Sequence, residues 1–173
     1  MLLNGREIEM PHSPEFQQVV NIVARLTRGM GLRPYRTELS MFHCGLLVAG
    51  QADALFVDDS ESAVTIIDWK RTPKLNRDNA FRALKPPFEH LPDCNFWTYA
   101  LQLNIYRFIL ETEYSMRVKA LYLAQVHPSI ATGRLVDVPA MDEELALLCE
   151  DQLSKGLARC EAIDGSDAPF VLL

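Results

Sequence analysis

From Ser13 to Gly31 the apolar positions fall at helical spacing: Phe16, Val19, Val20, Val23 and Leu26 in SPEFQQVVNIVARLTRGMG. Ser13 stands at the N-cap position, Pro14 at the first helical position, and Gly29 and Gly31 are stop signals, so the stretch predicts a first helix. The period then changes to two. PYRTELSMFH alternates and carries Tyr, Thr and Phe, which predicts a strand. LLVAGQADALFVD predicts a second strand, joined to the first by a tight turn near His43–Gly45, and DDSES reads as a polar hairpin loop. AVTIIDWK, Ala63 to Lys70, predicts a third strand. Three strands in succession, linked by short polar turns, make an antiparallel meander.

RTPKLNRDNAFRALKPPFEHLPDC follows, with Pro73, Pro86, Pro87 and Pro92. It has room for one short helix, near Arg77–Leu84, inside an ordered loop. NFWTYALQLNIYRFILETEY predicts a long helix with Asp93 or Asn95 as N-cap; it is apolar nearly all round, so it packs on more than one side. RVKALYLAQVHP predicts a fourth strand, GRLVDVPA a short fifth, and MDEELALLCEDQLSKGLARCEAI an amphipathic C-terminal helix. The order is αβββαβ(β)α, an α/β (α+β) class with a central mixed sheet flanked by helices. No repeat, low-complexity tract or linker divides it, so one domain over residues 1–173 is expected. The opening LLNG reads as the tail of a helix whose earlier turns lie upstream, which predicts an N-terminally truncated chain.

Composition narrows this frame. Of 173 residues 49% are hydrophobic, enough for a real core, and 23% are charged, which does not indicate disorder. No basic segment followed by an apolar run opens the chain, and no apolar run reaches the roughly 18 residues of a membrane span. Cys44, Cys94, Cys149 and Cys160 form no C-x-x-C pair and have no His at zinc-finger spacing, which points to reduced thiols in an intracellular protein. The net charge of −6 argues against a uniform coat on nucleic acid. The charge is uneven, however. Lys70, Arg71, Lys74, Arg77, Arg82 and Lys85 face Asp78 alone within their stretch, while the acidic excess gathers in MDEELALLCED.

The end of the third strand carries the candidate chemistry. Side chains at i and i+2 share a face, so Asp68 and Lys70 sit side by side with Ile66 behind them, and Trp69 points the other way into packing. By the same alternation Gln51, Asp53 and Leu55 share a face of the second strand, and a hairpin around Asp58–Ser62 brings Asp53 opposite the end of the third. Two carboxylates with a backbone carbonyl between them suit a hard divalent ion such as Mg²⁺. A lysine beside such an ion can orient or deprotonate a water. Taken singly, Asp68 with Lys70 reads as a solvated ion pair and Asp53 as a turn or surface acid. The combination weighs the other way, because a carboxylate among the small apolar residues of AGQADAL needs a partner or a metal.

These residues carry a resemblance. IIDWK matches the (D/E)-x-K signature of the PD-(D/E)xK nuclease superfamily. GQAD, Gly50 to Asp53, resembles the G-x-x-D motif of its RecB-like exonuclease branch, and QLNIY, Gln102 to Tyr106, resembles that branch's Q-x-x-x-Y motif on the following helix. The element order is also that of the superfamily's restriction-endonuclease-like αβββαβ core. The likeness covers roughly Phe16 to Pro128.

It implies that Asp53 and Asp68 hold a metal, Mg²⁺ or Mn²⁺, with the Trp69 carbonyl as third protein ligand. Lys70 would position the attacking water and stabilise charge on the phosphate. Gln102 would support Lys70 or the scissile region, with Tyr106 one turn on; a phenol packed between helix and sheet is an equal reading of Tyr106. Glu38, on the first strand, would be the additional glutamate near the metal, against a salt bridge with Arg36. One departure stands out: the histidine that RecB-like nucleases carry on an early helix has no match, and His12, His43, His90 and His127 read as surface or structural residues.

The implied reaction is hydrolysis of phosphodiester bonds in DNA. Arg71, Lys74, Arg77, Arg82 and Lys85 would follow the phosphate backbone with a strong salt dependence. Phe81, Phe88, Phe96 and Trp97 lie in or beside this arm and could stack on unpaired bases, favouring single-stranded ends, although Phe96 and Trp97 on a helix also suit the core. A nuclease-fold module that binds DNA without cutting it is the second reading. A protein-interaction domain using the acidic C-terminal helix is the third.

Overall fold

The computed structural model describes residues 13–60 and 62–162, with side chains to residue 155. Helix α1 spans Pro14–Ala24; Ser13 caps it, its hydroxyl accepting the Phe16 amide at 3.1 Å. A π turn at Arg25–Gly29 ends it, and the Thr27 hydroxyl bonds back to the Val23 carbonyl at 2.9 Å. Strands β1 (Arg33–His43), β2 (Val48–Val57) and β3 (Val64–Arg71) follow as the antiparallel meander the sequence predicts. Helix α2 (Asn95–Glu113) crosses to β4 (Val118–Val126), which lies parallel to β3, and β5 (Arg134–Asp137) closes the far edge antiparallel. Helix α3 covers Asp142–Ala162. The result is an α+β fold: one mixed five-stranded sheet in the order β1-β2-β3-β4-β5, with the αβββαβ element order.

The two faces of the sheet bury different helices. Leu55, Val57, Val64, Ile66, Leu121 and Leu123 pack with Phe96, Leu103, Ile109 and Leu110 of α2. Phe56, Ile67, Ala124, Val126 and Leu135 pack with Ile22 and Leu26 of the first helix. Helix α2 is fully buried at Asn104 as well, whose amide bonds the carbonyls of Ala100 (2.9 Å) and Pro139 (3.0 Å) and accepts the Met141 amide (3.0 Å). That polar bolt explains how a helix apolar nearly all round is covered on more than one side. Among the described residues no helix is long and apolar enough to cross a membrane.

Two local expectations fail. No helix forms near Arg77–Leu84; the segment is turns, bends and a lone bridge between Ala83 and Pro92. The Asn79 side chain accepts the amides of Phe81 (3.1 Å) and Arg82 (3.2 Å), and so competes with the helical ladder for those donors. Neither Asp93 nor Asn95 caps α2. Cys94 occupies the N-cap without a side-chain bond, and Asn95 instead clamps the arm, accepting the Asn76 amide and donating to the Lys74 carbonyl, both at 2.8 Å.

Candidate active site

The site begins with an irregularity in β2. Ala52 packs on the α2 side, but Ala54, two residues on, packs on the α1 side. Strict alternation would put them on one face. It therefore breaks at Asp53, and the expected common face for Gln51, Asp53 and Leu55 does not hold. On β1 the pairing passes from Thr37–Ala54 to Leu39–Ala52, and Glu38 between them has a left-handed φ of 52°. Asp53 reaches the next strand: its Oδ2 accepts the Trp69 amide at 2.7 Å. Asp53 thus arrives beside the end of β3, by a backbone contact rather than by side-chain alternation.

On β3 the alternation is regular. Ile66 lies in the α2-side core, and Trp69 packs against the α1-side core. Asp68 is 2% exposed, and Lys70 Nζ stands 2.8 Å from its Oδ2. The approach is off the line of a hydrogen bond, so that oxygen is buried with a cation beside it and no aligned donor. Burial pushes the Asp68 carboxyl up from its ordinary range; Lys70 pulls it back, and the nearby Asp53 charge adds to the upward push.

Lys70 is held from the helix as well. Its Nζ donates to Gln102 Oε1 at 3.0 Å, and Gln102 Nε2 donates to the Tyr106 hydroxyl at 2.6 Å. Gln102 and Tyr106 are one turn apart on one face of α2. The Tyr106 ring lies against β2 where Gly50 leaves room: a Cβ there would meet Tyr106 Cε1 at 2.3 Å. Tyr99, which the sequence reading missed, presents its ring 4.3 Å from Lys70 Nζ. Its signal is the helical spacing Tyr99, Gln102, Tyr106 along one face.

The structure therefore brings Asp53, Asp68, Trp69, Lys70, Gln102 and Tyr106 together. Glu38 lies across from Asp53 in strand register, but it is exposed, its carbonyl takes the Gln51 side-chain amide at 3.3 Å, and among the described residues it forms no three-acid group with Asp53 and Asp68. Among the described residues no group of three His, Cys, Asp or Glu gathers as a ready metal cage. The two acids would need backbone oxygen and water to complete a shell, as Mg²⁺ sites commonly do. His43 stacks on Phe108, with 5.4 Å between ring centroids, His90 meets Glu144 at 3.0 Å, and His127 bonds Ser129 at 2.7 Å, all away from the acids. His12 and the opening LLNG lie outside the described residues.

The basic arm is exposed and differently built. Arg71 pairs with Glu15 of α1 at 2.7 Å. Arg77 stacks over Phe96, 3.7 Å from the ring centroid, and its carbonyl accepts the Trp97 indole at 2.9 Å. Lys74, Arg82 and Lys85 are exposed, and Phe81 is 96% exposed. Phe96 is buried in the core, so it is closed to base stacking.

No family model matches the chain, and no curated protein matches it. Among solved structures, one described as “Putative exonuclease” from Eubacterium rectale is 15% identical, with 90% of this chain and 63% of that chain covered and a TM-score of 0.48. The chain thus spans less than two thirds of that protein. The structure of SSO0001 is 16% identical, with 79% of this chain and 56% of that chain covered and a TM-score of 0.35.

Proposed function

We propose that this chain is a metal-dependent deoxyribonuclease of the RecB-like kind, an exonuclease that hydrolyses phosphodiester bonds. The observation that carries the reading is the chain of contacts from Tyr106 through Gln102 and Lys70 to Asp68, with Asp53 alongside. A structural ion pair needs no such scaffold; a lysine that must meet a phosphate does.

The donor set fits a hard divalent cation, Mg²⁺ or Mn²⁺. Asp68 Oδ2 is a buried oxygen with the Lys70 ammonium 2.8 Å away but no aligned donor, so it keeps acceptor capacity for a cation. Asp53 and Asp68 would hold the ion, with the Trp69 carbonyl as the backbone ligand. The ion would supply Lewis acidity at the phosphate and a more acidic water. Lys70 donates toward the phosphate oxygens as charge develops there. Gln102 fixes the ammonium, Tyr106 fixes Gln102, and Tyr99 keeps one side of the lysine apolar. The basic arm holds the DNA strand beyond the site.

Titration calorimetry with Mg²⁺ tests the donor set. Wild type is expected to bind, and Asp53→Asn to bind several-fold more weakly; equal binding by the two would remove Asp53 from the site. A DNA-binding module with weak or absent cleavage is the second reading, favoured by the lack of a third acid or histidine at the site among the described residues. A DNA shift assay in EDTA separates binding from cutting.

A further inference from the structure

Beside the acid pair, not over it, lies a cavity of about 320 Å³ that includes Lys74, Asn76, Arg77, Gln125 and Arg134 in its wall. Its charge is one-sided: three cations and no carboxylate line it. Among the described residues none of the three cations is in an ion pair. Like charges around one space repel, and an anion between them reverses that cost.

The wall is preformed. The Lys74 carbonyl accepts from Thr72 (2.9 Å) and Asn95 (2.8 Å), and the Asn76 amide is held by Asn95 (2.8 Å). The Arg77 guanidinium is laid flat on Phe96. Gln125 is buried and bonds the Thr72 carbonyl at 3.0 Å. Sheet register then ties the cavity to the site. Lys70 pairs with Gln125, and Gln125 pairs with Arg134, so the three stand in one row on the α2 face. Two strand spacings put Arg134 about 10 Å from Lys70 at the backbone.

We infer that this cavity is a phosphate subsite, holding a phosphate of the DNA strand that flanks the one at Lys70. The inference rests on the nuclease reading for its substrate, and it adds Arg134, outside the basic arm, to the groups that meet DNA. The anion is either an internal phosphodiester or a terminal phosphate; the two share one chemistry.

Two measurements test it. The first is binding of a labelled single-stranded oligonucleotide in EDTA, across a salt series, to wild type, Arg134→Gln and the remote control Arg28→Gln. Arg134→Gln is expected to weaken binding about tenfold and to reduce the salt slope by about 0.7, with Arg28→Gln like wild type. If oligonucleotides with and without a 5′-phosphate bind wild type alike, the held group is internal. If the phosphate strengthens wild type and not Arg134→Gln, it is terminal. Arg134→Gln behaving like Arg28→Gln would overturn the subsite and leave the nuclease reading standing. The second is titration of the full chain with inorganic phosphate, read on arginine side-chain NH resonances. Shifts at Arg77 and Arg134 but not Arg28 support the cavity even if DNA is neither bound nor cut, an outcome that would sink the nuclease reading alone. No shift at Arg77 and Arg134 would overturn the cavity as an anion site.

Discussion

Lys70 and Arg82 are cations twelve positions apart in sequence, and the molecule treats them in opposite ways. Lys70 rises from a strand and meets Asp68, Gln102 and the Tyr99 ring. Arg82 lies in an irregular arm, exposed, and among the described residues only its backbone is engaged: its amide bonds Asn79, and its carbonyl accepts the Asp93 amide at 2.9 Å. A group that must meet a reacting atom needs its position fixed from several elements. A group that tracks a flexible polyanion needs charge and reach above all. Lys70 is thus fixed from several elements while the Arg82 side chain is left exposed, and substitutions at the two should behave differently.

The largest stability effect is expected at Gly50. Gly50→Ala drives a Cβ into the Tyr106 ring at 2.3 Å, where overpacking costs about 1–3 kcal/mol. Its melting temperature should fall and cleavage should fall with it, because Tyr106 sets Gln102. Gly29→Ala, whose nearest neighbour is the Arg25 side chain at 3.8 Å, is the control. Equal melts for the two would break the link between the glycine and the tyrosine.

Asp68→Asn should act in the opposite sense. Burial raises the Asp68 pKa above its ordinary value, so the folded chain holds that proton more tightly than the unfolded one. The stability this gives is present below the unfolded value and is lost as pH rises through the folded one. Without divalent metal, Asp68→Asn should therefore melt higher than wild type near neutral pH, and the gain should shrink in acid. A gain that is constant with pH would contradict the assignment.

Tyr106→Phe removes one hydrogen bond while keeping the ring. A loss of about 1 kcal/mol in stability is expected, with a moderate drop in cleavage. Smallest in stability is Phe81→Ala, within about 0.5 kcal/mol of wild type because the ring touches little. It should weaken single-stranded DNA binding while leaving duplex binding nearly unchanged, read by anisotropy. A matching loss on duplex would remove the stacking role.

Much of this was legible in the chain. Helical spacing marked α1, alternation marked β1, apolar runs between turn residues marked later strands, and the spacing of Asp68 with Lys70 and of Gln102 with Tyr106 placed each pair on one face. What alternation could not supply was the break at Asp53, which depends on strand pairing with Glu38 in a left-handed conformation. The helix expected near Arg77–Leu84 failed for a related reason. Asn79 takes two backbone amides, and Asn95 holds the arm from α2, a contact across about twenty residues that no local pattern reveals. The cavity likewise joins the arm to Arg134 on β5 and exists only once the sheet is assembled.

On the proposed reading, Lys70, fixed between Asp68 and Gln102, serves phosphodiester cleavage. The most direct test of that role is digestion of end-labelled single- and double-stranded DNA with Mg²⁺ or Mn²⁺, wild type beside Lys70→Ala, with circular dichroism confirming that both are folded. Metal-dependent cutting reduced at least about 10²-fold in the variant is the expected result, and the product ladder would show the end from which digestion starts. Cutting by Lys70→Ala at the wild-type rate would contradict the account.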